Sequence, residues 1–190
     1  MFRIQHLQWL GIAAAAIGCI LLGGASILGN FADHQRHRQG IAELERFVVL
    51  LDAVNAVSAE RGPSNSAMGA SDAEASELRA ALETKRAQTN LALDAVALRF
   101  DGDLERNDGV NALTVLRESL AAGRAKVDIA IMTPSENRQA LIIGEAIMAM
   151  FAAADRAGEL RDLIGGHIIE ETPQLAGEVF LANSASAVRD

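Results

Sequence analysis

Two short clusters in this chain have residue types and spacing that could recognise an anion. The first is Glu60-Arg61-Gly62-Pro63-Ser64. It stands at the end of an amphipathic helical pattern, where Pro63 removes a backbone donor and biases Gly62 away from helical angles. An arginine at such a break can turn toward the interior, and its planar guanidinium suits planar oxyanions such as nitrate or a carboxylate. Amides freed by the break would add donors. The competing account is an exposed Glu–Arg pair ahead of a turn. The second cluster is Lys85-Arg86-Ala87-Gln88-Thr89-Asn90. The apolar spacing Leu78, Leu82, Leu93, Val96, Phe100 skips the positions where 85, 86 and 89 fall. Arg86 and Thr89, three apart, share one helix face. A polar gap in a core stripe needs a partner, water or ligand; otherwise the helix rotates and the gap faces solvent. Arg61, Arg86, Ser64 and Thr89 are therefore the candidate ligand-binding residues.

Other chemistry is poorly supplied. The chain lacks an H-E-x-x-H pattern and a glycine-rich phosphate loop after a strand, and its one cysteine, Cys19, sits in an apolar run. No catalytic residue, metal site or cofactor is expected, and no enzymatic activity within these 190 residues. His34 and His37, beside Arg36 and Arg38, read as a juxtamembrane polar collar. Arg117, Arg124 and Arg138 belong to no motif and read as solvated face residues. All 25 acidic residues follow residue 30, with every basic residue except Arg3, against a net charge of −8 for the whole chain. An acidic domain of this kind argues against a nucleic-acid partner, which needs a basic face.

The elements that must position these clusters follow from periodicity. Trp9–Gly29 is uncharged and mostly apolar; as a helix it would span about 31 Å, the thickness of a bilayer core. It is too long for a signal-peptide core and has no convincing cleavage site, so it reads as an uncleaved transmembrane helix behind a short cytoplasmic tail, 1–8. The remainder is rich in Ala, Leu and Glu with little strand-like alternation, which is all-α composition. A first helix runs from about His34 to Glu60, with Ile41, Leu44, Phe47, Val48, Leu51, Val54 and Val57 on one face. Ser71-Asp-Ala-Glu74 is a capping box that opens a second helix to Phe100. Asp101–Gly109 is a turn, with Asp103 or Asp108 as cap. A third helix covers Gly109–Ile131. Thr133-Pro-Ser-Glu136 is a second capping box opening a fourth helix from Pro134 to about Leu163 or Ile164, ended by Gly165-Gly166. Four such helices with short connections predict an antiparallel four-helix bundle over 34–165. Thr172-Pro173 starts a further helix, 173–190, which ends without a stop signal; the expectation is an N-terminal part of something longer.

The stretch V-N-A-V-S-A-E-R-G-P-S-N-S-A-M-G-A-S (54–71), followed by L-R-A-A-L-E-T-K-R-A-Q-T-N-L-A-L-D-A-V-A-L-R-F (78–100), resembles the nitrate- and nitrite-sensing (NIT) domain family. Glu60, Arg61, Gly62 and Ser64 match its E-R-G-x-S element. Arg86 and Thr89 match its R-x-x-T-D element, in which Asn90 replaces the aspartate. Leu116-Arg117 and the helix around Ile142–Phe151 fall where the family has its leucine-arginine element and following helix. The resemblance covers about 45–165. It implies an all-helical ligand sensor of the kind found in chemoreceptors, histidine kinases, cyclic-dinucleotide enzymes and transcription antiterminators. It implies a small anionic ligand such as nitrate or nitrite, with Arg61 first and Arg86 second as its contacts. With the apolar run, it also implies the input domain of a receptor in the bacterial inner membrane, periplasmic, single-pass in this stretch and homodimeric. Two alternatives stand beside it: a helical membrane adaptor that binds a protein and no small ligand, and the non-catalytic head of a cyclase or kinase.

Overall fold

A computed structural model describes residues 40–71, 73–100, 108–171 and 173–187. The apolar run Trp9–Gly29, the tail before it, His34, His37 and most of the Asp101–Gly109 turn lie outside these residues. Two compact units divide the chain, Met1–Ala42 and Glu43–Asp190. Of the first, residues 40–42 are described, and they are helical. None of the described helices is long and apolar enough to cross a membrane.

The second unit is all-helical among its described residues, with no strand. Its helices are α1 (43–59), α2 (Arg61–Gly69), α3 (Ala75–Arg99), α4 (Gly109–Met132), α5 (Ala140–Glu171) and α6 (Ala176–Ala187). One core gathers Phe47, Leu50 and Val57 of α1, Leu82 and Val96 of α3, Leu116, Leu120 and Val127 of α4, and Met150 and Leu160 of α5. Burying such side chains is the main favourable term, about 1.5–3 kcal/mol for each large one. Cross-helix contacts fix the direction of α3 against α4. Arg79 meets Ile131, Arg86 meets Asp128 and Arg117 meets Asp94. Residue numbers rise along α3 as they fall along α4, so the two helices run antiparallel.

Several expectations are corrected. The first helix ends at residue 59, next to its expected end at Glu60, but no non-helical turn follows at Gly62-Pro63. The interruption is confined to Glu60, whose backbone stays helical (φ −68, ψ −21), and α2 carries on to Gly69. The reason is position: Pro63 falls in the first turn of α2, where a missing N–H leaves no intrahelical bond unmade. The fourth helix starts at Ala140 rather than Pro134, because Pro134 takes extended angles and Ser135–Asn137 form a single 3-10 turn. It also runs through Gly165-Gly166 to Glu171. Gly165 here serves close approach: a Cβ on it would lie 3.2 Å from Phe47 Cε2. Only half of the Ser71–Glu74 capping box forms: Ser71 N donates to Glu74 Oε2 at 3.4 Å, but Glu74 N donates to the Ser71 carbonyl and not to its Oγ, and α3 begins at Ala75 without a side-chain cap. Val48 and Leu141, expected inside, are 51% and 69% exposed.

The helix seams differ in kind. Where α4 meets α5, small residues let the backbones approach. A Cβ on Gly123 would sit 2.9 Å from Met150 Sδ and 3.3 Å from the Ala149 carbonyl carbon. Ala146, Ala153 and Ala157 are fully buried nearby on α5. Where α3 meets α4, long polar side chains bridge the gap instead.

Candidate functional site: a charge cluster at the helix interruption

Glu60 is the centre of the polar cluster. It occupies the one-residue gap between α1 and α2 and is fully buried. Its carboxylate accepts a two-pronged contact from Arg124 of α4: Nε to Oε1 at 2.7 Å and Nη2 to Oε2 at 2.6 Å. Such a fork is the strongest common pairing of a guanidinium with a carboxylate. Arg124 also donates through Nη1 to Asn90 Oδ1 of α3 at 2.8 Å. One side chain therefore ties the α1–α2 junction, α3 and α4 together.

Arg86 of α3 lies alongside. Its Nη2 donates to Asp128 Oδ1 of α4 at 2.7 Å and its Nη1 to Glu83 Oε1 at 3.1 Å. Its buried Nε has no hydrogen-bond partner among the described residues and stands 3.8 Å from Glu60 Oε1. Leaving a buried donor unmade costs about 1–3 kcal/mol; attraction to the Glu60 carboxylate offsets part of that. Glu60, Asp128 and Glu83 face Arg86 and Arg124, so the cluster has more acidic than basic groups and its guanidinium forks are largely occupied from within.

The four residues expected to bind ligand separate here into two groups. Arg86 and Thr89 do face inward, so the polar gap in α3 points to the core and not to solvent; Arg86 is 9% exposed and Thr89 fully buried. Thr89 Oγ1 donates within reach of two carbonyls, Ala56 O at 3.2 Å and Lys85 O at 3.1 Å. Ser64 is also fully buried, and its Oγ donates to Glu60 O at 2.9 Å. These hydroxyls are committed to backbone carbonyls. Arg61 has different partners from these three. Its Nε donates to Ser58 O at 3.1 Å and its guanidinium carbon lies 4.6 Å from the centre of the Phe151 ring of α5. Among the described residues it makes no ion pair. The amides expected to be freed by the break are largely used: Glu60 N donates to Ala56 O and Ser64 N to Glu60 O.

Two arginines read as solvated are not. Arg124 is the hub just described. Arg138 donates to Thr133 O at 2.8 Å, Met68 O at 2.8 Å and Ala70 O at 2.6 Å. It thereby satisfies carbonyls at the ends of α2 and α4 that have no helical partner. Arg117 is half exposed and paired with exposed Asp94 at 2.7 Å. The sequence does hold a signal for the hub. Arg124 and Asp128 are four apart on the flank of the α4 stripe, and an inward Arg86 demands an acidic partner.

Two recesses flank the cluster along the α3–α4 seam. One, of about 310 Å³, is lined by Asn90, Leu93, Asp94, Arg117, Leu120, Ala121 and Arg124. The other, of about 280 Å³, is lined by Arg79, Leu82, Glu83, Arg86, Asp128, Ile131 and Met132. No group of His, Cys, Asp and Glu that could hold a metal occurs among the described residues. Comparison with family models, with curated proteins and with solved structures returns no match for this chain.

Proposed function

We propose that this chain is the ligand-sensing input part of a membrane-anchored signal-transduction receptor that binds a small planar anion, nitrate or nitrite being the class the family resemblance implies. In this proposal Trp9–Gly29 is the transmembrane anchor, and the four long helices are the antiparallel bundle of a periplasmic, non-catalytic sensor.

The observation that carries it is the placement of Arg61. Its guanidinium is steadied by Ser58 O and the Phe151 ring, yet has no carboxylate partner among the described residues. Arginines elsewhere in the cluster are neutralised from within. Arg61 is also the residue next to Glu60, whose carboxylate ties α1–α2 to α4. An anion drawn to Arg61 acts one residue from that tie. If it favours one arrangement of the helices over another, it shifts their populations by its difference in affinity, typically about 1–3 kcal/mol. Ser64, Arg86 and Thr89 then hold the junction in shape while Arg61 makes the contact. Exposed Ile129, Met132, Leu141 and Met148, at the end where α4 turns into α5, support a homodimer partner and equally favour the second reading, a membrane adaptor that docks a protein.

The test is thermal unfolding of the full chain in detergent micelles with nitrate, nitrite, chloride and sulfate. One-site binding adds RT ln(1 + [L]/Kd), about 2.7 kcal/mol at a hundredfold excess over Kd. Nitrate or nitrite raises the midpoint of the wild type and not of Arg61→Ala. If none of the four anions raises it, the sensor reading gives way to the adaptor.

A further inference from the structure

The geometry points to a second binding site, in the 310 Å³ recess of the α3–α4 seam, for an α-amino acid with a short apolar side chain. This site is separate from Arg61 and does not depend on the anion proposal. Its lining is polar at Asn90, Asp94, Arg117 and Arg124 and apolar at Leu93, Leu120 and Ala121. The volume lies at the lower end of small-molecule pockets, about 300–1,000 Å³, so the occupant is small.

The charges define its chemistry. Arg124 is spent on Glu60 and Asn90, so it offers no free fork. What remains is one pair, Arg117 Nη2 to Asp94 Oδ1 at 2.7 Å, with the two side chains 44% and 65% exposed. A pair this exposed contributes little to stability, because water screens it and holding two long side chains costs entropy, so it opens readily. A ligand with both a carboxylate and an ammonium replaces that one contact with two charge-assisted ones: its carboxylate on the Arg117 guanidinium, its ammonium on the Asp94 carboxylate. Arg117 and Asp94 are in direct contact at 2.7 Å, so the exposed pair parts to admit the ligand, whose two charges, on adjacent carbons, then face one protein group each. A simple anion is disfavoured by Asp94 and a simple cation by Arg117. Leu93 and Leu120 are almost wholly buried, at 3% and 2% exposed, so the recess offers little apolar surface beyond Ala121 and suits only a short side chain.

Titration calorimetry on the full chain in detergent micelles tests this with L-valine as the probe. Valinamide lacks the carboxylate and 3-methylbutanoate lacks the ammonium. Saturable heat with L-valine is expected, with each comparator at least about tenfold weaker. Arg117→Gln and Asp94→Asn each weaken L-valine by a similar factor while circular dichroism and the thermal midpoint stay at wild-type values. Arg61→Ala leaves L-valine binding unchanged, which separates this site from the anion site. The proposal is overturned if L-valine shows no saturable heat up to about 10 mM, tenfold above a millimolar Kd. It is equally overturned if L-valine binds both recess variants as it binds wild type, or if the amide and the acid bind as well as the amino acid.

Discussion

The α4–α5 and α3–α4 seams join neighbouring helices by opposite means. At α4–α5 the contact is backbone on backbone, made possible by Gly123 and by the alanines 146, 153 and 157. At α3–α4 the helices are linked through side-chain length: Arg79 to Ile131 O, Arg86 to Asp128, Arg124 to Asn90, Arg117 to Asp94. A close-packed seam has one arrangement, because any shift opens voids or creates clashes. A seam bridged by arginines has room beside each bridge, and both recesses lie along it. It can exchange one hydrogen-bond partner for another. Rigidity and ligand capacity are thus assigned to different pairs of helices in the same helical unit, and α4 belongs to both.

Breaking the polar seam at its centre has the largest expected effect. Glu60→Ala leaves Arg124 and Arg86 facing each other without the buried carboxylate, and urea unfolding should show a loss of about 3–5 kcal/mol. Replacing all three charges together, Glu60→Met with Arg124→Met and Arg86→Met, should cost far less and even match wild type, since well-packed apolar residues often equal a buried charge cluster. A triple variant no more stable than Glu60→Ala would mean that the seam cannot repack, and that the contrast with α4–α5 is overstated. The tight seam is attacked by overpacking. Gly123→Val should destabilise by about 1–3 kcal/mol, read from the same denaturation curves, because Met150 can swing away but the Ala149 backbone cannot. The smallest effect belongs to the rim of the polar seam. Arg117→Gln should change stability by less than about 1 kcal/mol. A loss as large as that of Glu60→Ala would show that exposed and buried bridges act as one unit.

Much of the helical architecture is legible in the sequence because periodicity records burial directly. Phe47, Val57, Leu82, Leu93, Leu116, Leu120 and Met150 are expected inside and are inside. Helix ends are less legible. Pro63 and Gly165-Gly166 carry strong local stop signals: the first shows as the interruption at Glu60, with Pro63 in the first turn of α2, whereas the second is overridden where the Phe47 ring packs against Gly165. In the site, the gap at Arg86 and Thr89 is visible as a defect in an apolar stripe. Which residues pair there is not, because Glu60 and Arg124 stand 64 positions apart and no local spacing links them.

Composition and spacing alone determined that this chain is helical, which residues form its stripes, that the stripe of α3 is broken by an arginine and a threonine, and that an arginine follows a glutamate at a helix interruption. Those are local properties, set by propensity and by the repeat of the helix itself. The tertiary structure decided that Glu60 is the buried member of its pair and Arg61 the one without an acidic partner among the described residues. It also decided that Arg124 is a hub, and that the α3–α4 seam is open while α4–α5 is closed. Each depends on which face of one helix meets which face of another, and that is fixed only when the whole core closes at native packing density.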